Sequence, residues 1–220
     1  MKEHDDEPVP GLPELLPEGE RILWQGAPRW QSLARRAFHI GNLAIYFGAL
    51  IVWRAATLFY DGETAMQVLQ AIAWLVPLAL AAIGILGFIA WLMARTTLYT
   101  ITNRRIVMRV GVVLTVSFNI PFNTMASAGL RKYGDGTGDM PIALAGEDRI
   151  SYLHLWPHAR PWRVARPQPM LRAVPDVLAV SEILTRAVQA AEGPAIRQMR
   201  PASADAPLPA SESRPFAAAQ

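Results

Sequence analysis

The sequence predicts an α+β membrane protein: a two-helix transmembrane hairpin followed by a seven-stranded β sandwich or barrel capped by a C-terminal helix. Three observations predict it. Two long stretches hold most of the apolar excess of a 220-residue chain that is 52% hydrophobic and has a positive mean hydropathy. Runs of β-branched and aromatic residues, broken by Asn, Arg and Gly, begin directly after the second stretch. A single amphipathic pattern of helical period then closes the apolar sequence.

Residues 1–36 read as an acidic cytoplasmic segment with an amphipathic lead-in, since residues 1–30 hold seven acids against three bases. The hairpin occupies residues 37–94. Its first span, Ile40–Tyr60, is long enough to cross about 30 Å of hydrocarbon at roughly 1.5 Å per helical residue, and only Arg54 interrupts it. The second, Met66–Met93, has no charge and carries Trp74 and Trp91 near opposite interfaces. A long charged segment before the first span, and no small-residue cleavage pattern after it, predict a permanent hairpin rather than a cleaved leader. The intervening DGETA, Asp61–Ala65, suits only a tight turn, and Pro77 predicts a kink whose freed carbonyl a neighbouring helix satisfies. Arg35 and Arg36 precede the hairpin and Arg95, Arg104, Arg105 and Arg109 follow it, which places both of its ends in the cytoplasm. Arg54 lies within about two turns of Asp61 and is expected to snorkel to the periplasmic headgroups; the alternative is a pair with an acid or carbonyl of a partner helix.

Residues 95–192 read as a cytoplasmic β domain. Strands are predicted at Thr96–Thr102, Arg105–Val110, Val112–Ile120, Met125–Tyr133, Pro141–Gly146, Arg149–Trp156 and Trp162–Arg166. Val177, Val180, Leu184 and Val188 keep helical spacing, with Pro175 and Asp176 at the start and Gly193 with Pro194 at the end of the capping helix. Residues 193–220, rich in Pro, Ala and Ser, are expected to be disordered. Residues 101–172 hold ten bases against four acids. Next to an anionic leaflet each suitably placed cation is worth roughly 1 kcal/mol, so Arg104, Arg105, Arg131 and Lys132 are candidate contacts for anionic lipid headgroups or partner proteins. No helix-turn-helix, zinc finger or RNA-binding aromatic pattern accompanies the charge, so nucleic acid is not an expected partner.

The chain has no cysteine, which excludes disulfides, thiolate catalysis and Cys-based metal sites. His154 and His158 flank LWP, where Pro157 disfavours the helix that would put them on one face; surface or strand histidines are the preferred reading over metal ligands. YGDGTGDMP, Tyr133–Pro141, lacks the third carboxylate and terminal Glu of a calcium loop and the lysine of a phosphate loop, and reads as a hairpin loop. No G-x-S-x-G elbow is present. No catalytic residue and no metal site are assigned, and an enzyme is not expected.

The stretch YTITNRRIVMRVGVV, Tyr99–Val113, resembles the strand-turn-strand of the membrane-tethered bacterial pleckstrin-homology (PH) families, and LPEGERILWQGAPRW, ending at Trp30, resembles the segment that precedes their double span. With NIPFNTMASAGL, MPIAL and the Trp- and Pro-rich run Leu153–Pro175, roughly residues 10–190 are similar to the photosynthetic reaction-centre assembly proteins of purple bacteria. The resemblance implies a PH-like fold and a multi-pass protein of the bacterial inner (intracytoplasmic) membrane with both termini cytoplasmic. It further implies non-catalytic assembly of the reaction centre and core light-harvesting complex, with their subunits as partners and homo-oligomerisation left open. It implies no cofactor. His39, at the mouth of the first span, is the one candidate for ligating a bacteriochlorophyll magnesium, against the favoured reading of an interfacial imidazole with its polar edge in water. Two other functions compete: a membrane-surface lipid- or protein-binding module without a photosynthetic role, and a membrane-bound enzyme.

Overall fold

The structure is a computed structural model and describes residues 11–12, 14–112, 115–145 and 151–198. It is an α+β fold with eight named strands and five α-helices among the described residues. β1 (Ile22–Gly26) and α1 (Trp30–Arg36) precede two long apolar helices, α2 (Ile40–Tyr60) and α3 (Ala65–Thr96). These span 21 and 32 residues, or about 32 and 48 Å at 1.5 Å per residue. They pack on each other across a turn in which Gly62 has φ 80° and Thr64 with Gln67 forms a capping box that satisfies donors at the start of α3. Pro77 lies inside α3, which continues past it.

One residue, Thr97, separates α3 from β2 (Leu98–Thr102). β3 (Arg105–Val110) follows after the two-residue connection Asn103-Arg104, then β4 (Val116–Pro121), and the first sheet is an antiparallel meander in the order β1-β2-β3-β4. β1 therefore joins β2 although the whole hairpin lies between them in sequence, with Gln25 opposite Thr100 and Gly26 opposite Tyr99. The second sheet holds β5 (Met125–Ala128), β6 (Arg131–Lys132), β7 (Gly138–Leu144) and β8 (Met170–Val174). After a register shift between Met125 and Ser127, the rest of β5 and β6 keep one register along β7, with Ala128 opposite Ile142 and Arg131 opposite Asp139. Gly129 and Leu130 interrupt that line. β8 pairs with β7 as well.

The core forms where the inward residues of both sheets meet the apolar stripe of α5 (Val177–Gln198). Tyr99, Ile101, Ile106, Met108 and Ile120 of the first sheet pack with Met140, Ile142, Leu171 and Val174 of the second, and Val177, Val180, Leu184 and Ala187 of α5 close the cluster. Burying a side chain of this size is worth about 1.5–3 kcal/mol, so this cluster is the main reason the sheets stay together. A smaller cluster joins Leu33 of α1, Met93 and Ala94 of α3 and Ala173 of β8, fixing the base of the hairpin to the second sheet.

The structure departs from the expected strand set in several places. The strand expected at Arg149–Trp156 is instead a helical turn, α4 (Tyr152–Leu155), followed by a cis Trp156-Pro157 bond, while residues 149–150 lie outside the described residues. The strand expected at Trp162–Arg166 is irregular: Trp162 has φ 64°, and Pro157, Pro161, Pro167 and Pro169 remove the donors that a ladder needs. The strand expected over Val112–Ile120 begins at Val116, with residues 113–114 outside the described residues. β1 and β8 were not expected. The backbone of α5 runs through Gly193 and Pro194 to Gln198, past the expected end of the helix; the rest of the expected disordered tail, residues 199–220, lies outside the described residues.

Gly138 sits where β6, β7 and α5 meet, and a Cβ there would lie 2.6 Å from both the Arg131 carbonyl oxygen and Val177 Cγ1. Gly138→Ala should destabilise the domain by about 1–3 kcal/mol through overpacking. Gly134→Ala, where a Cβ meets nothing within 4 Å, should stay within about 0.5 kcal/mol of the parent. Thermal melts of the two purified variants check this.

Candidate functional site

A cleft of about 850 Å³ opens between the end of α1, the first residue before α2 and the second sheet. Arg36 and His39 come from the helix side, Arg131 and Arg172 from the sheet, and Arg160 from the loop before β8. Trp156 and Trp162, 49% and 96% exposed, stand on its rim. Four arginines thus line it against one carboxylate, Asp139.

Asp139 is committed to the fold. Its Oδ2 accepts the Tyr133 hydroxyl proton at 2.6 Å and its Oδ1 accepts the Ala173 amide at 2.9 Å, holding Ala173 in a left-handed conformation, φ 50°. The Arg36 guanidinium lies 3.6 Å from the centre of the Tyr133 ring and that of Arg131 5.5 Å from it, so one aromatic face gathers two cations. Burial first, then the hydrogen bond to Asp139, pushes the Tyr133 phenol up to about 12.

Arg172 differs from the other three. It is 91% buried, its backbone amide donates to Tyr99 Oη at 3.1 Å, and its Nε has no hydrogen-bond partner among the described residues. Immediately behind it, Tyr99 Oη lies 2.6 Å from His158 Nδ1, and His158 Nε2 lies 3.3 Å from Thr97 Oγ1. Tyr99 Oη accepts the Arg172 amide, and the acceptor within reach of its own proton among the described residues is His158 Nδ1; the tautomer that satisfies it carries the imidazole proton on Nε2, toward Thr97. His158 is 1% exposed, which corrects the surface or strand reading of this residue; the His154 side chain lies outside the described residues. Burial first, and the Arg172 charge second, push the His158 imidazole down to about 3, while burial raises Tyr99 well above the usual phenol range.

The remaining site candidates from the sequence disperse. His39 is exposed at the start of α2 in a left-handed conformation, φ 52°, with Nδ1 3.3 Å from the Ala37 carbonyl, on the wall of the cleft. Arg54 is exposed on α2. Arg104 sits exposed at the β2–β3 bend. Arg105 makes a bidentate pair with Glu20 at 2.7 and 2.9 Å, and the Glu20 side chain is 2% exposed, so this cation fastens the segment before β1 to β3. Arg131 and Lys132 form β6, and of the two only Arg131 reaches the cleft. Arg160 and Arg172 were not singled out from sequence, where the signal available was the alternation of Arg with Trp and Pro between Trp156 and Arg172, and Arg36 was read only as a charge flanking the hairpin.

Because the folded imidazole of His158 resists protonation to about pH 3 while an unfolded one accepts a proton near 6.5, the unfolded state binds the extra proton between those values. Stability is therefore lost as pH falls through this window, by up to about 1.4 kcal/mol per pH unit. His158→Gln should be less stable at pH 7 and lose less on acidification than the parent, as melting curves between pH 7 and 4.5 would report.

Residues 38–188 match the bacterial PH domain family. The chain is 41% identical over 194 residues, 86% of its own length and 90% of the relative's, to an uncharacterised 23.7 kDa protein of Rhodobacter capsulatus encoded in the 5′ region of puhA. Among solved structures it aligns with a pleckstrin-homology-domain protein of Shewanella loihica PV-4 at 10% identity and a TM-score of 0.28, over 42% of this chain and 71% of that one. PH-like domains are typically non-catalytic modules that bind lipids or proteins. On the extent of the family match and of the relative, this chain belongs to the bacterial PH domain family.

Proposed function

We propose that the chain is a non-catalytic assembly factor of the PuhB type, which holds subunits of the photosynthetic reaction centre and core light-harvesting complex together at the bacterial inner membrane. The observation that carries the reading is the relative with 41% identity whose gene lies in the puhA region, a photosynthetic context. The fold supplies two kinds of docking surface. None of the most apolar window of α2 and 6% of that of α3 is buried, unlike a soluble core helix, and exposed Trp53, Phe59, Trp74 and Phe88 leave both helices apolar outward. Lipid and the helices of partner subunits suit that surface. Below it the domain offers basic side chains and the edge strands β4 and β5.

The pairing of β1 with β2 supports a topology in which both ends of the hairpin share one side of the membrane, and the flanking arginines favour the cytoplasmic side. Reporter fusions at residues 30, 63 and 150 should read cytoplasm, periplasm, cytoplasm; a periplasmic signal at 150 would overturn the topology.

Loss of a scaffold slows encounter without blocking a chemical step. Deletion of the gene in the phototrophic host should therefore lower the level and rate of accumulation of the core complex while pigment synthesis survives. Near-infrared spectra of membranes, set beside chromatography of extracted pigments, check this. A normal core-complex level, or an accumulated pigment precursor, would defeat the reading.

A further inference from the structure

We infer that the cleft between α1, the start of α2 and the second sheet is a binding site for a metallated tetrapyrrole that bears free carboxylates, with His39 Nε2 as the axial ligand of its metal. The first observation is the state of His39. Its Nδ1 lies 3.3 Å from the Ala37 carbonyl oxygen, and a carbonyl can only accept, so in the neutral imidazole the proton sits on Nδ1 and the lone pair on Nε2. An imidazole whose other nitrogen donates to a backbone carbonyl is the usual setting of a metal-ligating histidine. Nε2 has no partner among the described residues, and the side chain is exposed on the cleft wall. The backbone beneath it is held at φ 52°, a left-handed conformation uncommon for a residue with a side chain and concentrated at ligand clamps.

One imidazole does not hold a bare ion. No group of three His, Cys, Asp or Glu side chains that could hold a metal occurs among the described residues, so a metal bound at His39 has to arrive with its other ligands already in place. The charge around it is of one sign. Arg36, Arg131 and Arg160 line the same cleft, and Asp139, the one carboxylate in its wall, already accepts from Tyr133 and from Ala173. None of the three exposed guanidinium groups is held by a carboxylate among the described residues: Arg36 and Arg131 lie over the Tyr133 ring, and Arg160 donates to the neutral amide of Gln168. Planar forks of this kind are left for the carboxylates of a ligand.

The aromatic residues of the wall supply the third demand on the ligand. Trp156 meets the Phe38 ring edge-on at 5.7 Å between centres, and Phe38 directly precedes His39, so one indole is set close to the free imidazole. Trp162 stands exposed on the rim. Exposed indole faces suit a flat π-system, and the cleft lies at the upper end of the volumes that hold small molecules and cofactors, roughly 300–1,000 Å³. A simple anion would use the arginines and leave the imidazole and the indoles idle. A metallated tetrapyrrole with free propionates uses all three at once: an open axial position for Nε2, carboxylates for the guanidinium groups and a macrocycle for the rings. The inference rests on the cleft alone and requires neither the membrane placement of the hairpin nor the assembly reading.

The test uses the purified full-length chain, without a histidine tag, in neutral detergent at mildly alkaline pH, titrated with zinc protoporphyrin IX while the Soret band reports axial ligation and tryptophan fluorescence reports on the rim. One equivalent should bind, with the Soret band displaced from its position in detergent alone. His39→Gly should abolish the displacement and weaken binding roughly tenfold, and added imidazole should restore the displacement. Glycine accepts the left-handed backbone of this position, so the variant is expected to fold. Arg131→Gln with Arg160→Gln should weaken zinc protoporphyrin IX roughly tenfold while changing its dimethyl ester less than twofold, and Arg104→Gln with Lys132→Gln, outside the cleft, should leave both within twofold of the parent. No saturable binding, or an undiminished Soret displacement in His39→Gly, would overturn the site. Metal-free protoporphyrin IX bound as tightly as the zinc form would reduce the effect to stacking and overturn the axial ligand, and equal loss in the two double variants would reduce it to diffuse surface charge and overturn the carboxylate contacts. Binding is read without any photosynthetic complex present, so its failure leaves the deletion phenotype intact, and a missing phenotype leaves the titration intact.

Discussion

Most of this structure follows from the pairing of β1 with β2. Two strands that would ordinarily be joined by a short turn are separated by the segment from Ala27 to Thr97, and that segment contains both long apolar helices. The ladder between them forces the chain to leave the sheet and return to the same edge, so the two helices must run antiparallel and end side by side. The clamp is reinforced locally. Arg105 grips Glu20 ahead of β1, Asn103 accepts the Arg21 amide and donates to the Gly19 carbonyl, and the Arg29 amide after β1 donates to Ala173 of β8. Without this closure the N-terminal end of the hairpin would be held to the domain mainly by the packing of α1 on α3 and β8.

A second constraint is polar and lies beneath the cleft. Thr97, His158, Tyr99 and the Arg172 backbone form a connected chain of hydrogen bonds in which each group's role fixes the next. It ties the first residue after α3 to the loop before β8, and so links the hairpin, the first sheet and the wall of the cleft through buried atoms. Ser32 of α1 and Thr137 before β7 add a buried hydroxyl contact at 2.8 Å on the other flank. An apolar seam would hold these pieces as well, but it would tolerate sliding. A network with assigned donors and acceptors does not.

The long elements were legible because their signals are strong and local. α2 coincides with its expected span, β3 matches residue for residue, and the stripe of α5 lies in the core as its spacing requires. The Met125–Tyr133 strand was readable as a direction but not as two pieces, since the break at Gly129 depends on its approach to Pro141. β1 and β8 escaped for a different reason: each is five residues long and sits at the border of a Pro-rich run, and what makes it a strand is a partner distant in sequence. The cleft was the least legible part. Its arginines come from α1, β6, β8 and a loop, and sequence reasoning about charge counts them without saying that they converge. The same reasoning treated Arg105 as an open contact when it is spent on Glu20, because partner choice across 85 positions leaves no periodic trace.

The single residue between α3 and β2 has a dynamic consequence. A globular module on a long linker explores orientations freely, and a partner that binds it must quench that freedom, a loss that belongs to the several kcal/mol that association costs in rotational and translational entropy. Here a helix about 48 Å long passes into a core strand with only Thr97 intervening, and Thr97 is itself buried and hydrogen-bonded. The module cannot swivel independently of the rod that carries it. Its heading is set before any partner arrives, and a tilt or rotation of the rod is transmitted to the sheet as rigid-body motion.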